Sequence, residues 1–244
     1  MALKSFQHGQ HTYSISYEIV NPLAKHDLIV LHGWGSNKEI MKQAFEPYMD
    51  SFRHIYIDLP GFGGSINHAV LDTAEYTRIL EVFLELIGAK KEIVLGHSFG
   101  GKVATLLRPD LLVLLSSAGI KLPKSFEIKL KIKLAKFLNS LGLGNLGKLF
   151  RAKDAHELNT LMYETFKKVV DEDFSGEFKD YHQKTLVCWG EDDTATPLIA
   201  GQKIHEFIKN SRFTVYQGDH FFFLKRAKSI ASEIENMFLK RAGN

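Results

Sequence analysis

The sequence predicts an α/β fold, a mostly parallel sheet with helices on both faces and one inserted helical segment. Three observations carry that reading. Short continuous apolar runs recur at residues 28–31, 54–57, 93–95, 111–115 and 185–188, the pattern of strands buried on both faces. Helix-length segments lie between them, and alternation of strand with helix implies a parallel sheet covered on both sides. From about 121 to 182 the alternation stops, leaving helical periodicity without a convincing strand before the sheet resumes.

In chain order, Tyr13, Ile15, Tyr17 and Ile19 alternate with polar residues behind a His8-Gly9-Gln10-His11 turn, which predicts an antiparallel hairpin of edge strands. Residues 72–87 read as a helix that Asp72 or Thr73 can cap, with Ile79, Leu80, Phe83, Leu84 and Ile87 as its apolar stripe. Within 121–182, Gly142, Gly144 and Gly147 mark a turn region. Residues 121–153 hold nine Lys/Arg and one acid, whereas 154–182 hold eight acids and three lysines. Leu130, Leu134, Phe137, Leu138 and Leu141 share one helical face, and Lys129, Lys133 and Lys136 fall on an adjoining one. Such a basic face is either a docking surface or merely a solvated side. The division expected is a core of 1–120 and 183–244 carrying a helical lid at 121–182.

At 244 residues the chain suits one core domain with a small insertion. A single cysteine excludes an internal disulfide. There is no signal-like N-terminal stretch, and no apolar run approaches the ~18–20 residues that span a bilayer. A soluble, cytoplasmic protein with no membrane insertion is expected. A net charge of +3 is too weak to argue nucleic-acid binding.

The chemistry is concentrated in Gly96-His97-Ser98-Phe99-Gly100, which follows the apolar run 93–95 and opens a helix-compatible stretch. That context reads as a nucleophile elbow, where flanking glycines relieve crowding around a strained serine. The alternative is an ordinary helix N-cap. A serine hydroxyl is a poor nucleophile at neutral pH, so it needs a base, an acid orienting that base, and donors for the developing oxyanion. His32-Gly33-Trp34-Gly35 follows the run 28–31, making the Trp34 and Phe99 N–H groups the oxyanion-hole candidates. Asp193 lies beyond the run 185–188, where a carboxylate points into the crevice at the strand ends; Asp192 and Glu191 compete for its role. His220, one of eleven histidines, follows the strand-like 212–216 and completes the order Ser, Asp, His. No metal or other cofactor is needed for this chemistry, and His and Cys do not cluster at metal-ligand spacing.

From His32-Gly33-Trp34-Gly35 through Asp58-Leu59-Pro60-Gly61-Phe62-Gly63-Gly64-Ser65 and the elbow to Asp193 and His220, the chain resembles the α/β-hydrolases over nearly its full length. The placing of Asp193 three residues after Gly190 and four before Pro197 resembles that family's acid loop, which favours Asp193 over Asp192. His97 beside the nucleophile is also common in the family, and a packing role suits it better than catalysis. The run from Gly101 to Pro109 is shorter than family members usually show, so a shortened helix after the elbow is expected.

A serine at the elbow implies esterase, thioesterase, C–C hydrolase or perhydrolase-like relatives, since dehalogenases and epoxide hydrolases carry aspartate there and dienelactone hydrolases cysteine. Attack by Ser98, acid–base work by His220 and hydrolysis of an acyl-enzyme are then expected. The His32 to Gly35 and Asp58 to Gly63 motifs resemble most those esterases that cleave the methyl ester of pimeloyl-acyl carrier protein in biotin synthesis. An acidic carrier protein would suit the basic face of Lys129, Lys133 and Lys136. A C–C hydrolase of 2-hydroxy-6-oxo-dienoates is the alternative enzyme, and a ligand-binding relative without turnover the alternative of another class.

Overall fold

A computed structural model describes residues 1–122 and 152–239. Eight strands form one sheet: β1 (Ala2–His8), β2 (His11–Val20), β3 (His26–Leu31), β4 (Phe52–Ile57), β5 (Ile93–His97), β6 (Leu111–Leu115), β7 (Lys184–Gly190) and β8 (Ser211–Tyr216). Their spatial order is β1-β2-β4-β3-β5-β6-β7-β8. β1 and β2 pair antiparallel through a His8↔His11 turn, and β2 pairs antiparallel with β4. Every later pairing is parallel. Only β1 of the hairpin is therefore a free edge, because β2 is taken up by β4.

Alternation along the buried strands sends side chains to two separate cores. Ile29, Leu31, Val94 and Leu112 face the core filled by α2 (Thr73–Leu86), α3 (Phe99–Leu107) and α6 (Leu198–Phe207). Leu28, Val30, Ile93 and Leu95 face the other, filled by α1 (Lys38–Phe45) and α7 (Phe223–Leu239). Between β6 and β7 lie α4 (Ala152–Val170) and α5 (Ser175–Lys179).

Local chemistry sets the helix ends. Asp72 caps α2 and completes a reciprocal capping box with Glu75, which satisfies two otherwise orphaned N–H groups. Helix α3 is short, nine residues, and stops where Arg108 turns left-handed before Pro109. After β3 the chain first adds β4 on one side and then β5 on the other. The crevice between the ends of β3 and β5 is thus a topological switch point, where open α/β sheets place their ligands.

Candidate active site

Ser98 stands where β5 turns into α3. It takes φ 50° and ψ −115°, a conformation that a residue with a Cβ adopts only when its surroundings impose it. Here the Ser98 N–H donates to Leu115 O, and the Gly101 and Ala118 N–H groups donate to Ser98 O, each at 3.0 Å. A Cβ on Gly96 would lie 2.3 Å from the Gly100 carbonyl oxygen, and one on Gly100 would lie 2.5 Å from that of His32. Any larger residue would push the elbow away from β3. The Ser98 side chain makes no capping bond to α3, so the ordinary N-cap alternative does not describe it.

The oxyanion candidates come from both sides of the switch point. Gly33-Trp34-Gly35-Ser36 closes through Ser36 N–H to Gly33 O at 3.2 Å, with Gly35 at φ 73°, as a type II turn requires of its third residue. Phe99 opens α3, so its N–H has no acceptor within the helix. Trp34 and Phe99 line one cavity with Ser98 and His220.

His32 fixes the turn from beneath. Its Nδ1–H donates to Gly33 O at 2.8 Å and its Nε2 accepts the Leu59 N–H at 3.0 Å, a tautomer assigned from the bonding pattern. Complete burial pushes its pKa down to about 4, so the ring is neutral, as one donor and one acceptor require. Beside it, Asp58 accepts from Lys38 Nζ at 2.7 Å and from the Lys38 and Gly64 N–H groups at 2.8 and 2.9 Å. Burial would raise the Asp58 carboxyl, but these bonds hold it below its usual range.

The structure brings the side chains of Asp193 and His220 together. His220 Nδ1 lies 2.8 Å from Asp193 Oδ2, and the Asp193 side chain is fully buried. Asp192 and Glu191 are exposed. Burial would raise the Asp193 carboxyl, but the hydrogen bond and charge of His220, with the Ser116 side chain and the Thr196 N–H, hold it low. His97 packs its ring 4.6 Å from that of His220 and donates Nε2–H to the His220 carbonyl at 3.0 Å. Burial keeps His97 neutral by pushing its pKa well down. His97 thus supports the His220 loop from behind.

Two features escaped the sequence reading. Thr196 donates its N–H to Asp193 Oδ1 and sets its hydroxyl oxygen 2.8 Å from Asp193 Oδ2. Lys102, one helical turn beyond Ser98, lines the cavity and donates to Glu172 Oε2 at 2.5 Å and to Val169 O at 2.6 Å. Neither carried a signal: a threonine before a proline is ordinary in a loop, and a lysine on a helix is ordinary on a surface. From α4, Phe166 packs 5.4 Å from the Trp34 ring at the cavity wall. Lys129, Lys133 and Lys136 lie outside the described residues. Among the described residues no helix is long and apolar enough to cross a membrane, and no His, Cys, Asp and Glu cluster could hold a metal ion.

A model described as the alpha/beta hydrolase family matches residues 28–233. The chain belongs to that family. A pimeloyl-[acyl-carrier protein] methyl ester esterase of Vibrio campbellii is 39% identical over 79 residues, 32% of this chain and 30% of that relative. The match to this relative therefore spans about 30% of its length. An uncharacterized hydrolase of Bacillus subtilis, YugF, is 23% identical over 93% of this α/β-hydrolase and 94% of its own length. A thermophilic esterase from Thermogutta terrifontis shares the fold with a TM-score of 0.76 at 16% identity, covering 98% of this chain and 99% of that one.

Proposed function

We propose that the protein is a serine esterase in which Ser98 attacks an ester carbonyl, His220 moves the proton and Asp193 holds His220. The carrying observation is the 2.8 Å bond from His220 to the buried Asp193, on a cavity that Ser98 shares. With its Nδ1–H given to Asp193, His220 presents Nε2 as the base. Ser98 Oγ bonds to the carbonyl carbon as its proton passes to Nε2, and the carbonyl oxygen gains the negative charge. The Trp34 and Phe99 N–H groups stabilise that charge. The imidazolium then protonates the departing alcohol, and water attacks the acyl-enzyme with His220 again as base.

For the substrate we propose the methyl ester of pimeloyl-acyl carrier protein, acting in biotin synthesis in the cytoplasm. The 39% identity over 79 residues to an esterase of that name supports this reading. In it, residues 121–182 form the lid, supported by the contact of Phe166 with Trp34, and Lys129, Lys133 and Lys136 dock the acidic carrier.

The test is a panel of p-nitrophenyl acetate, pimeloyl-carrier-protein methyl ester and a 2-hydroxy-6-oxo-dienoate, run with wild type and Ser98→Ala. Wild type should prefer the carrier ester. Ser98→Ala should lose kcat by about 10³-fold or more on every turned-over substrate while staying folded. Reversal of the three lysines to Glu should lower kcat/KM only for the carrier ester, and less so in high salt. Preference for the dienoate would make the chain a C–C hydrolase. No turnover of any of the three, with Ser98 unreactive to a fluorophosphonate, would favour a ligand-binding protein.

A further inference from the structure

The Thr196 hydroxyl has one proton and stands at the junction of the acid, the base and the strand beside them. Its oxygen is 2.8 Å from Asp193 Oδ2, 3.0 Å from the Ser116 carbonyl oxygen and 3.3 Å from His220 Nδ1. On the other carboxylate oxygen, Asp193 Oδ1 accepts the Ala195 and Thr196 N–H groups at 2.8 and 2.9 Å. With the His220 bond, four donors thus surround a carboxylate that has about four acceptor positions. His220 Nδ1 is no acceptor for the hydroxyl, because its own proton is committed to Asp193. Of the two acceptors that remain, the carboxylate is both nearer and charged, and charge-assisted bonds are the stronger.

We propose that Thr196 is a positioning residue of the acid–base pair, donating its hydroxyl proton to Asp193 Oδ2 and so setting how strongly Asp193 holds the protonated His220 ring. Its catalytic consequence rests on the esterase reading above, whereas the hydrogen bond itself belongs to the resting protein. A buried carboxylate spreads its charge over every donor it has, and in a low-dielectric site each donor counts for more than it would in water. Removing one returns charge to the bond with His220 and favours the imidazolium. A base already protonated in the resting enzyme cannot take the Ser98 proton. The hydroxyl therefore keeps the pair firm enough to orient the ring without trapping it in the charged form.

Other ionisable groups near His220 do not reach the same carboxylate oxygen. His97, from the end of β5, is neutral and bonds the His220 carbonyl. Asp219, on the same loop, is exposed and accepts the Phe221 N–H. Across the cavity stand Lys102 with Glu172, and Lys121 and Asp171. The buried Ser116 side chain also helps to hold the Asp193 carboxyl low, so Thr196 shares that carboxylate with it.

The test is NMR titration of the His220 ring in wild type, Thr196→Val and Thr196→Ser, without substrate. Thr196→Val should move the midpoint up by about half a pH unit, the scale of one net hydrogen bond, and Thr196→Ser should return it. The acid limb of kcat/KM for p-nitrophenyl acetate should move with it, an extra loss of about threefold on the limb relative to the plateau. An unmoved midpoint in a folded Thr196→Val protein overturns the proposal. So does a downward shift, which would mean that the hydroxyl donates to Ser116 and accepts from His220. Equal loss at all pH that Thr196→Ser fails to restore makes the residue merely structural, and also overturns it. Absence of Ser98-dependent turnover would sink the esterase reading instead, while the titration still decides Thr196.

Discussion

Asp193 and Asp192 are adjacent in sequence and opposite in environment. One is buried against His220 and three other donors, the other is exposed. Composition and strand position left the choice open, and only the resemblance of the loop spacing singled out Asp193. The reason is physical: burial of a loop carboxylate is decided by what packs over it, here β6 and the His220 loop, neither of them near in sequence. Asp193→Asn should cut kcat by about 10⁴-fold, because an amide in that place favours the wrong imidazole tautomer. Asp192→Asn should stay within a few-fold of wild type, as exposed substitutions away from a site usually do. Steady-state kinetics on one ester checks both, and the reverse ranking would move the orienting acid to Asp192.

At the scale of elements, the parts legible in the sequence were those specified locally. The capping box of α2 needs only Asp72 and Glu75, and the hairpin only a turn between alternating strands. Pairs that join distant elements were not legible. Glu172, just past α4, accepts from the Thr73 N–H at 3.0 Å at the start of α2 and from Lys102 of α3. It thereby fastens the end of α4 to two helix N-terminal regions. Burial lowers the Lys102 pKa and its bonds to Glu172 oppose that, so the cation depends on its partner. Glu172→Ala should destabilise the protein by about 3–5 kcal/mol, since it leaves a buried charge unpaired. Replacing both members, Lys102→Met with Glu172→Gln, should cost much less. Urea unfolding distinguishes them, and a Glu172→Ala protein no less stable than the double variant would show that the pair is not a fastener.

For the whole molecule, the sheet was readable because buried strands announce themselves as apolar runs, but the polar groups buried with them carry a cost that depends on pH. His32 is fully buried with its pKa pushed down to about 4, and burial also lowers His54 and His97. The unfolded chain binds protons at these rings near their ordinary value of about 6.5, while the folded chain does not. Their contribution is therefore complete above about pH 6.5 and is lost as pH falls toward the folded values. For His32 alone the span down to about 4 corresponds to roughly 3 kcal/mol, a large share of an ordinary domain's stability of ~5–15 kcal/mol. Asp58 and Asp193 act in a separate, lower window. Their folded pKa values are depressed, so their contribution is full above the usual carboxylate range and disappears only as pH falls through those depressed values. Urea unfolding should thus show stability falling steadily from just below pH 6.5, well before any carboxylate protonates. The same slope should appear in Ser98→Ala, because that serine does not titrate in this range. A flat profile between pH 6.5 and 4 would mean that the buried histidines take up protons in the folded state, and that His32 does not hold the Gly33–Ser36 turn as a neutral ring.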